Sequence, residues 1–120
     1  MSYLNTGIYK PLKDGVITEV KIEDQQFSIV LETGAQHTYG VKGDCCSQSW
    51  IEHVTVPGDI KGATILDVDE FEVDTPPGVD KSQFEVLQCY ETRIKTTKGD
   101  IVLEFRNDSN GYYGGYVVAL

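Results

Sequence analysis

The sequence predicts a mainly β fold, and three observations carry that reading. Apolar residues alternate with polar ones over short runs, polar or glycine-bearing turns separate the runs, and Asn110-Gly111 is a strong hairpin-turn signal. The expected architecture is an antiparallel sheet of about six or seven strands, as a sandwich or a partly closed barrel, with one short helix.

The elements follow in order. Val16 to Ile22 alternates, with Val16, Val20 and Ile22 on one side and Glu19 and Lys21 on the other. Glu23-Asp24-Gln25-Gln26 is a polar turn, and Phe27, Ile29 and Leu31 then repeat at period two. Thr33-Gly34-Ala35 turns the chain into a strand over His37 to Val41. Ser47 to Val54 reads as the one short helix, following the Cys45-Cys46 pair: Ser47 is a candidate cap, and Trp50 and Val54 share a face at i and i+4. Pro57-Gly58 would end it. Thr64 to Val73 is a further strand, with Ile65, Val68 and Phe71 set among acids. Thr75-Pro76-Pro77-Gly78 denies both helix and central strand, so it is a loop. Phe84 to Thr96, Ile101 to Phe105 and Tyr116 to Leu120 complete the set, the Lys98-Gly99-Asp100 and Asn110-Gly111 turns making these three a meander. No internal repeat, low-complexity segment or interdomain linker is evident.

Composition narrows the function classes. The chain has 120 residues, one domain's length, and its 40% apolar content is enough to build a core. Ten basic against 19 acidic residues give a net charge of −9. This argues against direct binding of nucleic acid, which needs a basic footprint, and against docking on an anionic membrane. No apolar run is long enough to span a bilayer, and MSYLNTGIYK does not read as a signal peptide, so a cytoplasmic location is expected. The three cysteines, Cys45, Cys46 and Cys89, are odd in number and two are adjacent, so free thiols are the default.

Two segments stand out as candidate sites. Cys45-Cys46-Ser47-Gln48-Ser49-Trp50 packs thiols, hydroxyls and the single tryptophan into one short stretch. Arg106-Asn107-Asp108-Ser109-Asn110-Gly111-Tyr112-Tyr113-Gly114-Gly115-Tyr116 combines a guanidinium, amides, a hydroxyl, tyrosines and glycines. Glycine admits close approach to the backbone, tyrosine stacks on planar groups, and Arg106 can hold an anion or stack on a ring. These are the ingredients of a site for a small planar or phosphorylated molecule. The plainer readings are a tyrosine-rich hairpin for the second segment and buried thiols for the first. Cysteine catalysis would need a base such as His53 or His37, but no third residue is set to orient one. A zinc site from Cys45, Cys46, His53 and Cys89 lacks the usual two-residue cysteine spacing. Asp67 and Asp69 share a strand face where a cation could sit, but no calcium loop surrounds them; a solvated face is the favoured reading. No cofactor is implied.

The two segments together, Cys45-Cys46-Ser47-x-Ser49-Trp50 and Arg106-Asn107-x-Ser109-Asn110-Gly111-Tyr112-Tyr113-Gly114-Gly115, resemble an uncharacterised family of small domains found in phage and bacterial genomes. The resemblance covers most of the chain and brings no assigned reaction with it. It implies a small phage-encoded protein acting inside a bacterial cell, where such proteins counter host defence by sequestering a nucleotide signal or plugging a host protein; that step is analogy.

Three functions are weighed. The first is a non-enzymatic binder of a nucleotide-derived molecule. Trp50, Tyr112 and Tyr113 would stack on a base, Arg106 would neutralise a phosphate or bond a base edge, and Ser47, Ser49, Asn107, Ser109 and Asn110 would supply directional hydrogen bonds. Dimerisation would bring two arginines to one pocket and offset the repulsion of an anion by a net −9. The second is an acidic inhibitor that occupies a basic groove on a host protein through Glu23-Asp24 and Asp67 to Glu72. The third is a cysteine-dependent enzyme or metal protein. The binder is the leading reading.

Overall fold

A computed structural model describes residues 6–43, 48–78, 86–109 and 115–120. The described chain starts in a 3-10 helix, Thr6–Leu12. Its strands are β1 Ile17–Glu23, β2 Gln26–Leu31, β3 Gln36–Gly43, β4 Gln48–Thr55, β5 Ile65–Val73, β6 Val86–Thr96, β7 Gly99–Ser109 and β8 Gly115–Ala119. They form two four-stranded sheets, ordered β1-β2-β3-β8 and β4-β7-β6-β5. Every pairing is antiparallel. The result is a sandwich with no closed barrel. Among the described residues, no helix is long and apolar enough to cross a membrane.

Alternation builds the shared core. Phe27, Ile29 and Leu31 face inward from β2, as their period predicts, and Ile101, Leu103 and Phe105 do the same from β7. Ile17, Tyr39 and Val117 from the first sheet and Ile65, Val68 and Ile94 from the second close around them. The rings of Tyr9, Tyr39 and Phe27 form a row, with centroids 5.4 and 5.3 Å apart. Tyr9 belongs to the 3-10 helix, so this row pins the N-terminal segment to the first sheet.

Three sequence expectations are corrected. The segment from Gln48 to Val54 is strand β4 and not a helix. Trp50 and Val54 do not share a face: Trp50 opposes Arg106 and Val54 opposes Leu103, with a bulge between them, since Ile51 opposes Phe105 and His53 opposes Glu104 and Glu52 is the extra residue. With that residue inserted, Ile51 and Val54 both pack on the core. This strand brings the number to eight, against the six or seven expected. Next, the three C-terminal strands are not a meander. β6 and β7 form a long hairpin about Gly99, which has φ 117°, but β8 crosses to the first sheet and pairs with β3. A β7–β8 hairpin across Asn110-Gly111 is therefore absent, although Asn110 and Gly111 themselves lie outside the described residues. β7 is already paired on both sides, by β6 and β4, and has no edge to offer β8.

Finally, the fold is internally repeated. Each half is a three-stranded meander whose fourth strand crosses over: β4 follows β3 but pairs with β7, and β8 follows β7 but pairs with β3. The starts of β1 and β5 meet at a Val16–Thr64 bridge. There the backbone bonds come in matched pairs. Ile17 N donates to Ala63 O at 2.8 Å and Ile65 N to Gly15 O at 2.9 Å; Asp14 N donates to Ile65 O at 2.9 Å and Gly62 N to Ile17 O at 2.7 Å. Asp14 and Gly62, equivalent in the two halves, both have positive φ. Equivalent bulges follow, between Ile17 and Glu19 and between Ile65 and Asp67. The first bulge also shifts the phase of β1, so that Ile17 joins Val20 on the core side.

Candidate functional site

The pseudo-two-fold arrangement gathers the two chemistry-bearing segments. The chain leaves β3 at Gly43 and enters β4 at Gln48; it leaves β7 at Ser109 and enters β8 at Gly115. Gly43 pairs with Gly115, and Gln48 pairs with Asp108. The strand ends that flank 44–47 and 110–114 thus lie at one end of the sandwich. Of the predicted site residues, Cys45, Cys46, Ser47, Asn110, Tyr112 and Tyr113 lie outside the described residues. Ser49, Trp50, Arg106, Asn107 and Ser109 are placed, and all stand on the paired strands β4 and β7.

Strand alternation divides these five between the two faces of the sheet. Ser49 opposes Asn107 on the inner face. Asn107 is fully buried at 0% exposure, and Ser109 is buried beyond it. The Ser49 hydroxyl donates to Asn107 Oδ1 at 2.7 Å, and Asn107 Nδ2 donates to Gln88 Oε1 at 3.4 Å. The interior of the second sheet therefore changes along β7, from Ile101, Leu103 and Phe105 to Asn107 and Ser109, on approaching the end where β7 stops and β4 starts. Polar side chains that deep need hydrogen-bond partners, and Ser49, Asn107 and Gln88 supply them to one another.

Trp50 opposes Arg106 on the outer face. Glu52, the bulged residue between them and His53, holds both: Trp50 Nε1 donates to Glu52 Oε2 at 2.9 Å, and Arg106 Nη1 lies 3.2 Å from Glu52 Oε1. The Arg106 side chain is only 16% exposed, so its guanidinium is fixed in place. Nothing in the sequence analysis pointed to Glu52; its signal is that it is the one acid between Trp50 and His53, within reach of both partners once the bulge forms. The bulge has a second device. Gln25, at φ 62° in the β1–β2 turn, lays its carboxamide along the open edge of β4. Its Oε1 accepts from Ile51 N at 2.7 Å and its Nε2 donates to Ile51 O at 3.2 Å. The side chain replaces a neighbouring strand at that point and closes the edge.

The remaining candidates are dispersed. Cys89 is a buried free thiol on the outer face, between Val73 and Arg106 in register. His53 is exposed opposite Glu104 on the second sheet, whereas His37 lies opposite Ile29 on the first. Among the described residues, no three His, Cys, Asp or Glu side chains gather as a metal-ligand group. Asp67 and Asp69 do share a face, opposite Lys95 and Arg93, and Asp69 is ion-paired with Lys95 at 2.9 Å. Glu70 turns the other way and is buried at 4% exposure. The Thr92 hydroxyl donates to it at 3.2 Å, and the Val117 amide bonds to it as well. Burial pushes its carboxyl up to about 6 against those hydrogen bonds.

No curated protein and no solved structure matches the chain. One family model does, over residues 9–119, nearly the whole of the sandwich from the 3-10 helix to the last strand. The chain belongs to that family, a domain of unknown function (DUF7448).

Proposed function

We propose that the protein binds a small planar, anionic molecule, with a nucleotide-derived compound as the leading class, at the end of the sandwich formed by the last residues of β3 and β7 and the first of β4 and β8. The observation that supports this most is the juxtaposition of Trp50 and Arg106 in direct cross-strand register, beside the strand ends that flank both polar, aromatic segments. Trp50 supplies a stacking face. The guanidinium carries five N–H donors, and Glu52 orients it without using them all. Ser49, Asn107 and Gln88 take a supporting role: they are tied to one another inside the sheet and hold β4, β6 and β7 in register beneath the site. Sequestration of a nucleotide signal, in a phage countering host defence, is the biological setting that this reading fits.

A thermal-shift screen against nucleotides, cyclic nucleotides and ADP-ribose-type molecules tests the proposal. At about 100 times its dissociation constant, a ligand adds about 2.7 kcal/mol and raises the midpoint by several degrees. The expected result is a shift for one of these classes that Arg106→Ala and Trp50→Ala each abolish. A flat screen at millimolar concentration, or a shift that both variants retain, overturns it. The acidic-inhibitor reading draws less support from the fold, because Glu70 is buried and Asp69 is paired with Lys95, which removes two charges from the surface it would use.

A further inference from the structure

Glu70 is the one carboxyl that strand alternation sends into the core among the described residues. Its position in the repeat shows that the framework does not require it. Residues 14–23 correspond to residues 62–71 through the matched bonds and bulges at Val16 and Thr64, and Glu70 corresponds to Ile22. An apolar side chain serves in one half and a carboxyl in the other. The two positions also differ in cover. Ile22 is 54% exposed, whereas Glu70 lies under the 3-10 helix, with Tyr9 beside it.

The groups that face Glu70 are few. From the 3-10 helix comes Tyr9, whose hydroxyl is buried, lies within electrostatic reach of Glu70 and sits beside the Thr92 hydroxyl. Lys10 and Lys13 on the same segment point to solvent. Tyr39 stands on β3 behind Tyr9, its hydroxyl donating to Ile8 O at 3.2 Å. β6 presents the Thr92 hydroxyl, and β8 presents the Val117 amide. On β5 itself, Glu72 occupies the next inward position but is exposed. Among the described residues, no cationic side chain acts on Glu70. An ionised carboxylate enclosed in this way, without a counter-charge, favours any motion that lets water reach it. The 3-10 helix is the cover that belongs to neither sheet; the Tyr9–Tyr39 ring contact, the Tyr39–Ile8 hydrogen bond and the buried Leu12 seat it there.

We propose that Glu70 is a proton-operated latch on the N-terminal segment: uncharged, it lets Thr6–Leu12 seat Tyr9 over the gap between the sheets, and ionised, it makes transient release of that segment, with water reaching the carboxylate, more frequent. The direction of the titration agrees, since burial holds the Glu70 proton up to about 6, against 4.5 in the open. Opening of the segment should then become roughly tenfold more populated from pH 5 to pH 8. The latch also touches β8, because Glu70 bonds Val117 only two residues after Gly115, where that strand begins.

Hydrogen exchange of the full chain tests it, at pH 5 and pH 8, with rates corrected for the intrinsic pH dependence of exchange. The expected result is that the amides of Lys13 and Gly15, which bond back to Lys10 and Leu12, lose roughly tenfold protection at pH 8, while the Ile101–Phe105 amides are unchanged. Glu70→Gln should remove the pH dependence and keep the segment closed at both values. Equal protection of Lys13 and Gly15 at the two pH values in the unmodified chain overturns the proposal, and that result does not depend on whether the variant folds. So does an undiminished pH dependence in Glu70→Gln.

Discussion

Asn107 and Arg106 are neighbours in sequence with opposite fates, and the difference decides what mutating each should do. Asn107 is enclosed, and its amide joins Ser49 to Gln88. Asn107→Ala leaves both partners without it in a buried setting, at a cost of about 2 kcal/mol, measurable by urea denaturation. Arg106 points outward, and its partner Glu52 is 39% exposed, so water can replace the guanidinium. Arg106→Ala should cost only about 1 kcal/mol in the same measurement. That difference makes Arg106→Ala a fair probe of binding, whereas Asn107→Ala would confound binding with folding. The residue types at both positions were legible as site material in the sequence. Their division into a supporting row and an outward-facing pair was not, because it depends on which face of β7 meets the core.

At the scale of elements, the edge of β4 depends on one side chain. Gln25→Ala should expose the Ile51 amide and carbonyl, cost about 1 kcal/mol, and speed exchange at Ile51 while leaving β2 and β6 protected. The strands themselves were largely readable. Alternation located seven of the eight, and turn residues such as Gly34 and Gly99, both with positive φ, placed two of the reversals. β4 was missed because Trp50 and Val54 have the spacing of one helix face; in the strand they face opposite ways, Trp50 opposing Arg106 outside and Val54 opposing Leu103 inside. The destination of β8 was missed for a different reason. Asn-Gly encodes a local preference for a tight turn, while the pairing of β8 with β3 is settled by β7 having both edges occupied. Local propensity gives way when the tertiary partners are elsewhere.

For the whole molecule, the two halves are related by a repeat that few identities mark. Leu12-Lys13 with Ile17, Glu19 and Val20 matches Ile60-Lys61 with Ile65, Asp67 and Val68, and little else aligns. What the halves keep is the hydrogen bonding at the Val16–Thr64 bridge and the phase of the core, which many sequences satisfy. Glu70 departs from that pattern, and its effect on global stability has a definite sign. Its folded value of about 6 lies above the ordinary 4.5, so the stability linked to its proton is full below 4.5 and is lost as pH rises through 6. Above that range the ionised carboxylate costs about 2 kcal/mol. Glu70→Gln should therefore stabilise the fold by about that amount at pH 8 and by almost nothing at pH 4, as read from denaturant midpoints at the two pH values.

The strand ends around the Gly43–Gly115 and Gln48–Asp108 pairs give the molecule one distinctive end, and that is where a ligand should bind. The most direct measurement is a chemical-shift map of the uniformly labelled protein, titrated with whichever nucleotide-class molecule gives the largest thermal shift. The account predicts that the perturbed amides cluster at Ser49 and Trp50, Arg106 to Ser109, and Gly115 and Tyr116, and that the Trp50 indole N–H moves with them. Perturbations centred on the Val16–Thr64 bridge or on the β6–β7 turn, with the Trp50 and Arg106 signals unmoved, would contradict it.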